Sequence, residues 1–196
     1  EHRWSEQLSG TALLSYTNVD NDRDGTVEDP GQRSGFVRDH RSFNASNLKL
    51  ELQQGNDGLL FQYGLELGLL SAHYSYASSL DVAAGEPFPD SPPSLTVREA
   101  TLQPDGSQQA AFVSGRWRMT DRLTTELGMR WDNQTWDRVD GGTQLSPRLN
   151  LRYDPDARTQ LRASWGRFYQ AQGINELQLE DGIQTFFPAQ RADHLI

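Results

Sequence analysis

Apolar and polar residues take turns along much of this chain. In "LLFQYGLELGLL", residues 59–70, Phe61, Tyr63, Leu65, Leu67 and Leu69 share one parity while Gln62, Gly64, Glu66 and Gly68 share the other. Successive side chains of an extended strand leave opposite faces, so a period of two predicts a strand with one apolar and one polar side. The same pattern predicts strands in "QLSGTALLSYT" (7–17), "LTTELGMRWD" (123–132), "LSPRLNLRY" (145–153) and "TQLRASW" (159–165). Alternation is weaker in "RSFNASNLKLELQ" (41–53) and "QAAFVSGRWRM" (109–119), and "ADHLI" (192–196) begins another strand.

The connections are of two kinds. "QGNDG", "TDR" and "DPDAR" are short and rich in Gly, Asp and Pro, as tight hairpin turns require. Between them lie stretches expected to be long loops: 19–37, 77–107, 133–143 and 171–186. All short turns then fall at one end of an antiparallel up-and-down meander and all long loops at the other, the arrangement of membrane-spanning strand barrels. Strands of about 10–12 residues, tilted near 45°, match an apolar band of roughly 25 Å. Aromatics gather at both ends of that band. Tyr16, Trp131 and Trp165, with Tyr74, Tyr76, Phe168 and Tyr169, mark the loop end; Phe61, Tyr63, Trp117 and Tyr153 mark the turn end. Tyr74 and Tyr76 carry the parity of the polar face, which fits this girdle only if a bulge intervenes.

Composition excludes several classes. A formal net charge of −9 opposes binding to nucleic acid. No apolar run reaches the roughly 18 residues of a membrane helix. There are no cysteines, so disulfides, thiolate metal sites and cysteine nucleophiles are ruled out. No G-x-S-x-G, P-loop or G-x-G-x-x-G pattern follows a strand, and no enzyme or cofactor is expected. His2, His40, His73 and His194 are scattered without a zinc-binding spacing. The N-x-S/T triplets at Asn44 and Asn133 are too short to carry weight.

"NVDNDRDGTVED" (18–29) places Asp20, Asp22 and Asp24 as an EF-hand calcium loop begins, but the twelfth position, where a bidentate Glu closes the cage, is Gly31. The segment before it reads as a strand rather than a helix, so no metal site is assigned and a solvated acidic loop is expected.

Alternation does not say which face is outside. A soluble barrel would turn Leu65, Leu67 and Leu127 inward around an apolar ligand and leave the charged residues in water. A membrane barrel would turn the leucines to lipid and line a polar lumen with Glu66, Glu126, Arg130, Arg148, Arg152 and Arg162.

Three stretches carry a resemblance. "MTDRLTTELGMRWDNQ", "LSPRLNLRYDPDARTQLRASWGRFYQ" and "GINELQLEDG" resemble the barrel of TonB-dependent outer-membrane receptors in the order of strand, Asp-containing turn, S-P-R strand, L-R-A-S-x-G-R segment and N-E-L loop. The likeness covers 108–196 well and 4–76 more loosely. It implies an all-β, antiparallel partial barrel of about 7–8 of the family's 22 strands, with 1–196 part of one barrel domain and the plug domain and terminal strands outside it. It implies active uptake of a scarce solute across the outer membrane of a Gram-negative bacterium, most commonly a ferric siderophore. Expected partners are the TonB system, the receptor's own plug, outer-membrane lipid and a small-molecule ligand such as a metal chelate. The inward Arg and Glu residues, Arg130, Arg148 and Arg152 above all, are then expected to face the plug. Loop 77–107 and "NELQLEDG" are expected to face the ligand, through side chains that the sequence leaves unidentified. The alternatives are a soluble β-barrel ligand-binding protein and a passive porin-type barrel.

Overall fold

The structure, a computed structural model, describes residues 1–84, 92–136, 143–170, 172–179, 185–187 and 189–195. Its strands are β1 (His2–Ser5), β2 (Leu8–Asp29), β3 (Arg33–Gly55), β4 (Leu59–Val82), β5 (Ser94–Leu102), β6 (Asp105–Arg118), β7 (Leu123–Gln134), β8 (Thr143–Asp156), β9 (Thr159–Gln170) and β10 (Gln190–Leu195). They form one antiparallel sheet in the order β1-β2-β3-β4-β6-β7-β8-β9-β10, with β5 also on β4. The sheet is open, with β1 and β10 at its ends.

β5 and β6 are two halves of one strand. Tyr74 of β4 faces Leu102 and Ser71 faces Asp105, so Ala72 and His73 stand across from Gln103 and Pro104 with nothing inserted. The Ala72 amide donates to the Pro104 carbonyl at 2.9 Å, which carries the ladder past a residue that has no N–H of its own.

The three tight turns expected from the sequence close by one device. Asn56 Oδ1 accepts from the amides of Gly58 and Leu59, Thr120 Oγ1 from Arg122 and Leu123, and Asp156 Oδ1 from Arg158 and Thr159. A short polar side chain at the strand end thus satisfies the two amides that the reversal leaves open.

At the other end two of the expected loops are mostly strand. Residues 19–37 pair as β2 with β3 up to Asp29 and Arg33, and much of 77–107 belongs to β4, β5 and β6. Within 133–143, residues 137–142 lie outside the described residues, as do 85–91 of the longer stretch. The extension has no apolar face to betray it, because its cross-strand neighbours are charged: Asp22 opposite His40, Arg23 opposite Asp39, Asp24 opposite Arg38 and Asp29 opposite Arg33. The β2–β3 reversal is Asp29-Pro30-Gly31-Gln32, with Gln32 N donating to Asp29 O at 2.9 Å and Gly31 at φ 78°. Proline second and a positive-φ glycine third is the residue order of a type II turn. Gly31, the residue that spoils the calcium motif, makes this turn.

Antiparallel partners share a face, so the ladders divide the sheet into two sides. Leu14, Leu50, Leu65, Leu67, Val113, Leu127, Met129, Leu151 and Leu161 occupy one side and are all exposed, Leu67 at 52% and Leu127 at 47%. Tyr16, Phe61, Tyr63, Trp117, Trp131, Tyr153 and Trp165 border that apolar band as expected. At its loop-end rim the Tyr16 hydroxyl donates to Asn44 Oδ1 at 3.1 Å, and Asn18 Nδ2 donates to the same oxygen at 2.7 Å. At the turn end Phe61 and Trp117 meet edge to face at 5.8 Å.

Three aromatics leave the expected girdle. β4 runs without a bulge, so Tyr74 and Tyr76 lie on the opposite, polar side, buried to 1% and 7% exposure. Phe168 also lies there, edge-on to His194. The buried core sits on this side: Ala72, Tyr74, Tyr76 and Trp136 packed with Ile174, Leu177 and Leu179.

Candidate functional site

The polar face carries two connected features, a field of ion pairs along the lower strands and a docked segment above it. Lys49, Glu66 and Asp132 are brought onto one side by β3–β4, β4–β6 and β6–β7 pairing, Lys49 opposite Glu66, Glu66 opposite Ala110, and Ala110 opposite Asp132. Arg130, two positions from Asp132 on β7, reaches Glu66 at 2.6 Å and Asp132 at 2.9 Å, while Lys49 reaches Glu66 at 3.3 Å and Glu51 at 3.5 Å. Lys49 Nζ also lies 5.8 Å from the centre of the Phe112 ring. That ring covers Gly64, where an added Cβ would sit 2.7 Å from it. A glycine here lets an aromatic ring lie flat on the sheet.

The other sequence-predicted residues fall on the same face but outside this network. Glu126 pairs with Arg116 at 2.9 Å, Arg152 with Asp154 at 3.0 Å, and Arg162 donates to Gln160 at 2.7 Å. Arg148 lies along the strand over Gly128, its aliphatic stem where that residue's Cβ would be. All six predicted residues therefore share one side of the sheet, yet only Glu66 and Arg130 touch each other. Arg152 holds the Asp154 carboxyl below the usual carboxylate range by direct hydrogen bonding, with Gln160 adding a second donor.

The docked segment is 172–179. Beyond Gly166, β9 parts from β8 while its other edge stays paired with β10, and Pro147 is the first β8 residue without a β9 partner. The chain after β9 then folds back over the sheet. Tyr74 donates its hydroxyl to Ile174 O at 2.8 Å and accepts from Leu177 N at 3.2 Å. Trp136 Nε1 donates to Gln172 O at 3.2 Å, and Arg41 to Leu177 O at 3.2 Å. Burial pushes the Tyr74 phenol above its ordinary value. Arg41 is anchored in turn by Asp39, which also accepts from Arg23 at 3.2 Å.

This alters the expected role of "NELQLEDG". Ile174, Leu177 and Leu179 face the sheet with 0–2% exposure, and the exposed side chains are Asn175, Glu176 and Gln178. Residues 180–182 of that motif lie outside the described residues. Beside the segment, the upper strands leave a groove of about 480 Å³ lined by Gly25, Val27, Val37, Tyr76, Leu80 and Thr96.

The family model for the β-barrel of TonB-dependent receptor-like proteins matches residues 1–192. The chain belongs to this family. An antiparallel meander with no crossover, tight turns at one end and long hairpins at the other is the architecture such a barrel wall requires. No curated protein matches the chain. The TonB-dependent receptor family is one of receptors and transporters.

Sequence reasoning missed Asp39, Arg41, Tyr74 and Trp136 as a group, because Asp39 and Arg41 read alone as surface charges, Tyr74 as a girdle aromatic and Trp136 as part of a loop. The parity of Tyr74 and Tyr76 was the available signal. Asp20, Asp22 and Asp24 lie on one side of an extended strand facing β3, and no cluster of three His, Asp or Glu side chains suited to a metal ion occurs among the described residues.

Proposed function

We propose that the chain is a wall section of an outer-membrane receptor for active uptake of a scarce solute, a ferric siderophore. The observation that carries this reading is the sorting of the two faces. About nine residues, Phe61 to Leu69, keep apolar side chains on one side, with Leu65, Leu67 and Leu69 exposed, the length a tilted strand needs to cross a bilayer. The opposite side holds Glu66, Arg130, Lys49 and Asp132 in paired form, suited to a hydrated lumen.

On this reading, Glu66, Glu126, Arg130, Arg148, Arg152 and Arg162 face the lumen and the receptor's plug domain. Further strands pair with the open edges at β1 and β10, and energy for uptake comes through the TonB system acting on parts outside this sheet. The extended hairpins stand outside the outer leaflet, and the groove above segment 172–179 is where a small ligand would meet the wall. A soluble β-barrel ligand-binding protein is disfavoured by Leu67, Leu127 and Leu151, which are exposed instead of enclosed.

The test uses the full-length receptor. It should partition into detergent and show heat-dependent gel mobility; recovery from the aqueous phase would refute the membrane assignment. A deletion strain should grow poorly under iron starvation on at least one ferric chelate. Normal growth on every chelate offered would leave the barrel assignment standing and remove the iron cargo.

A further inference from the structure

His40 and His73 are far apart in sequence and adjacent in space. The β3–β4 ladder sets His40 opposite Ser75 and His73 opposite Ser42, which makes the two histidines diagonal neighbours on one side of the sheet, ring centres 6.0 Å apart. Both lie beyond the apolar band, on the side that carries Leu67 and Leu69 and away from the ion-pair field. His40 is exposed and His73 half-buried, so an ion from solution can reach them. On β2, Asp22 stands opposite His40, and its Oδ1 hydrogen-bonds His40 Nδ1.

We propose that His40 and His73 form a two-imidazole site for a transition-metal cation of the Zn²⁺, Ni²⁺ or Cu²⁺ type, with Asp22 orienting the His40 ring. Geometry supports it. A metal about 2.1 Å from one nitrogen of each ring places the ring centres roughly 4.5–6.5 Å apart, depending on the angle at the metal. The observed spacing falls inside that range. Nδ1–H of His40 donates to the Asp22 carboxylate, so the lone pair of Nε2 is the one left for a metal, the carboxylate–histidine arrangement that fixes ring and tautomer at metal sites. Two imidazoles favour borderline metals over Ca²⁺, which wants six to eight oxygens. With two protein nitrogens only, water completes the shell. The site does not depend on the import reading, since it faces away from the proposed lumen.

The experiment is titration of the full-length receptor in detergent with Ni²⁺ or Zn²⁺ alone, with Ca²⁺ as a control, and electron paramagnetic resonance of a Cu²⁺-loaded sample. One bound transition metal per chain, two-imidazole nitrogen coupling and no calcium binding are expected. His40→Ala or His73→Ala should each abolish the stoichiometric site, and Asp22→Asn should weaken it roughly 10-fold or more. His2→Ala with His194→Ala should leave it unchanged. Each variant is checked for heat-dependent gel mobility, and His73→Gln replaces any that fails to fold. Undiminished binding in the His40→Ala, His73→Ala double variant, or no binding by the parent, overturns the site.

Discussion

Glu66 is shared by two cations of different reach, Arg130 at 2.6 Å and Lys49 at 3.3 Å, and Arg130 is also held by Asp132. Each of these groups keeps about a quarter or more of its side chain exposed, so solvent screens part of every pair. Arg130 matters most because it bridges two carboxylates. Arg130→Gln should cost about 1.5–3 kcal/mol, and a double-mutant cycle with Glu66→Gln should return a coupling of about 0.5–3 kcal/mol by urea unfolding in detergent; additive losses would show that the two do not interact. Asp154 gives a pH signature. Its carboxyl is held down by Arg152 and Gln160, so the stabilisation is present above the ordinary carboxylate pKa and disappears as pH falls through the lowered value. The melting-temperature gap between the parent and Arg152→Gln should be open at pH 7 and should close on acidification below about pH 4. A gap independent of pH would exclude the pair as its origin.

At the scale of elements, segment 172–179 is the part whose removal should have the clearest effect. Leu177→Ala deletes a side chain with 1% exposure and should cost about 2–5 kcal/mol locally, releasing the segment to faster hydrogen exchange and protease cleavage while β6–β8 stay protected. Tyr74→Phe should act in the same direction by about 1–3 kcal/mol, because it strands Ile174 O and Leu177 N. Unchanged protection in both variants would mean that the cluster does not hold the segment. The contrast between these elements and the lower strands shows what the sequence made legible. "LLFQYGLELGLL" and "LTTELGMRWD" announce themselves because one face is uniformly apolar and the other polar. β2 beyond Asn18 is equally extended, but it alternates charged with polar residues, and its pairing emerges only once Arg38, Asp39 and His40 stand across from it. The Pro30-Gly31 pair carries a turn signal, which is passed over when Gly31 is weighed only as the closing position of a calcium loop. The docking of 172–179 depends on contacts with Tyr74 and Trp136, far along the chain, which no local pattern encodes. The same holds for the candidate site: parity put six charged residues on one face, but only the ladders could show that Arg130 chooses Glu66 while Arg148 lies over a glycine.

For the whole molecule, the decisive contrast is between two sides of the sheet at the same depth. Leu127 and Asn150 bracket one level, Leu127 among exposed apolar neighbours and Asn150 opposite Glu126 on the polar face. Leu127→Arg should reduce folding into bilayers by about 2–4 kcal/mol, whereas Asn150→Arg should be nearly neutral. Equal penalties would remove the distinction on which the lipid-facing assignment stands. The connectivity of the sheet has a consequence for how the wall is made. Since each strand bonds only to those next to it along the chain, with β5 and β6 counted as one, the three hairpins with side-chain-clasped reversals can zip upward from them without waiting for a distant partner. Growth can then proceed like planks laid in sequence, each new pair needing only the edge left by the last, and a stalled strand would halt everything downstream while leaving the finished planks in place.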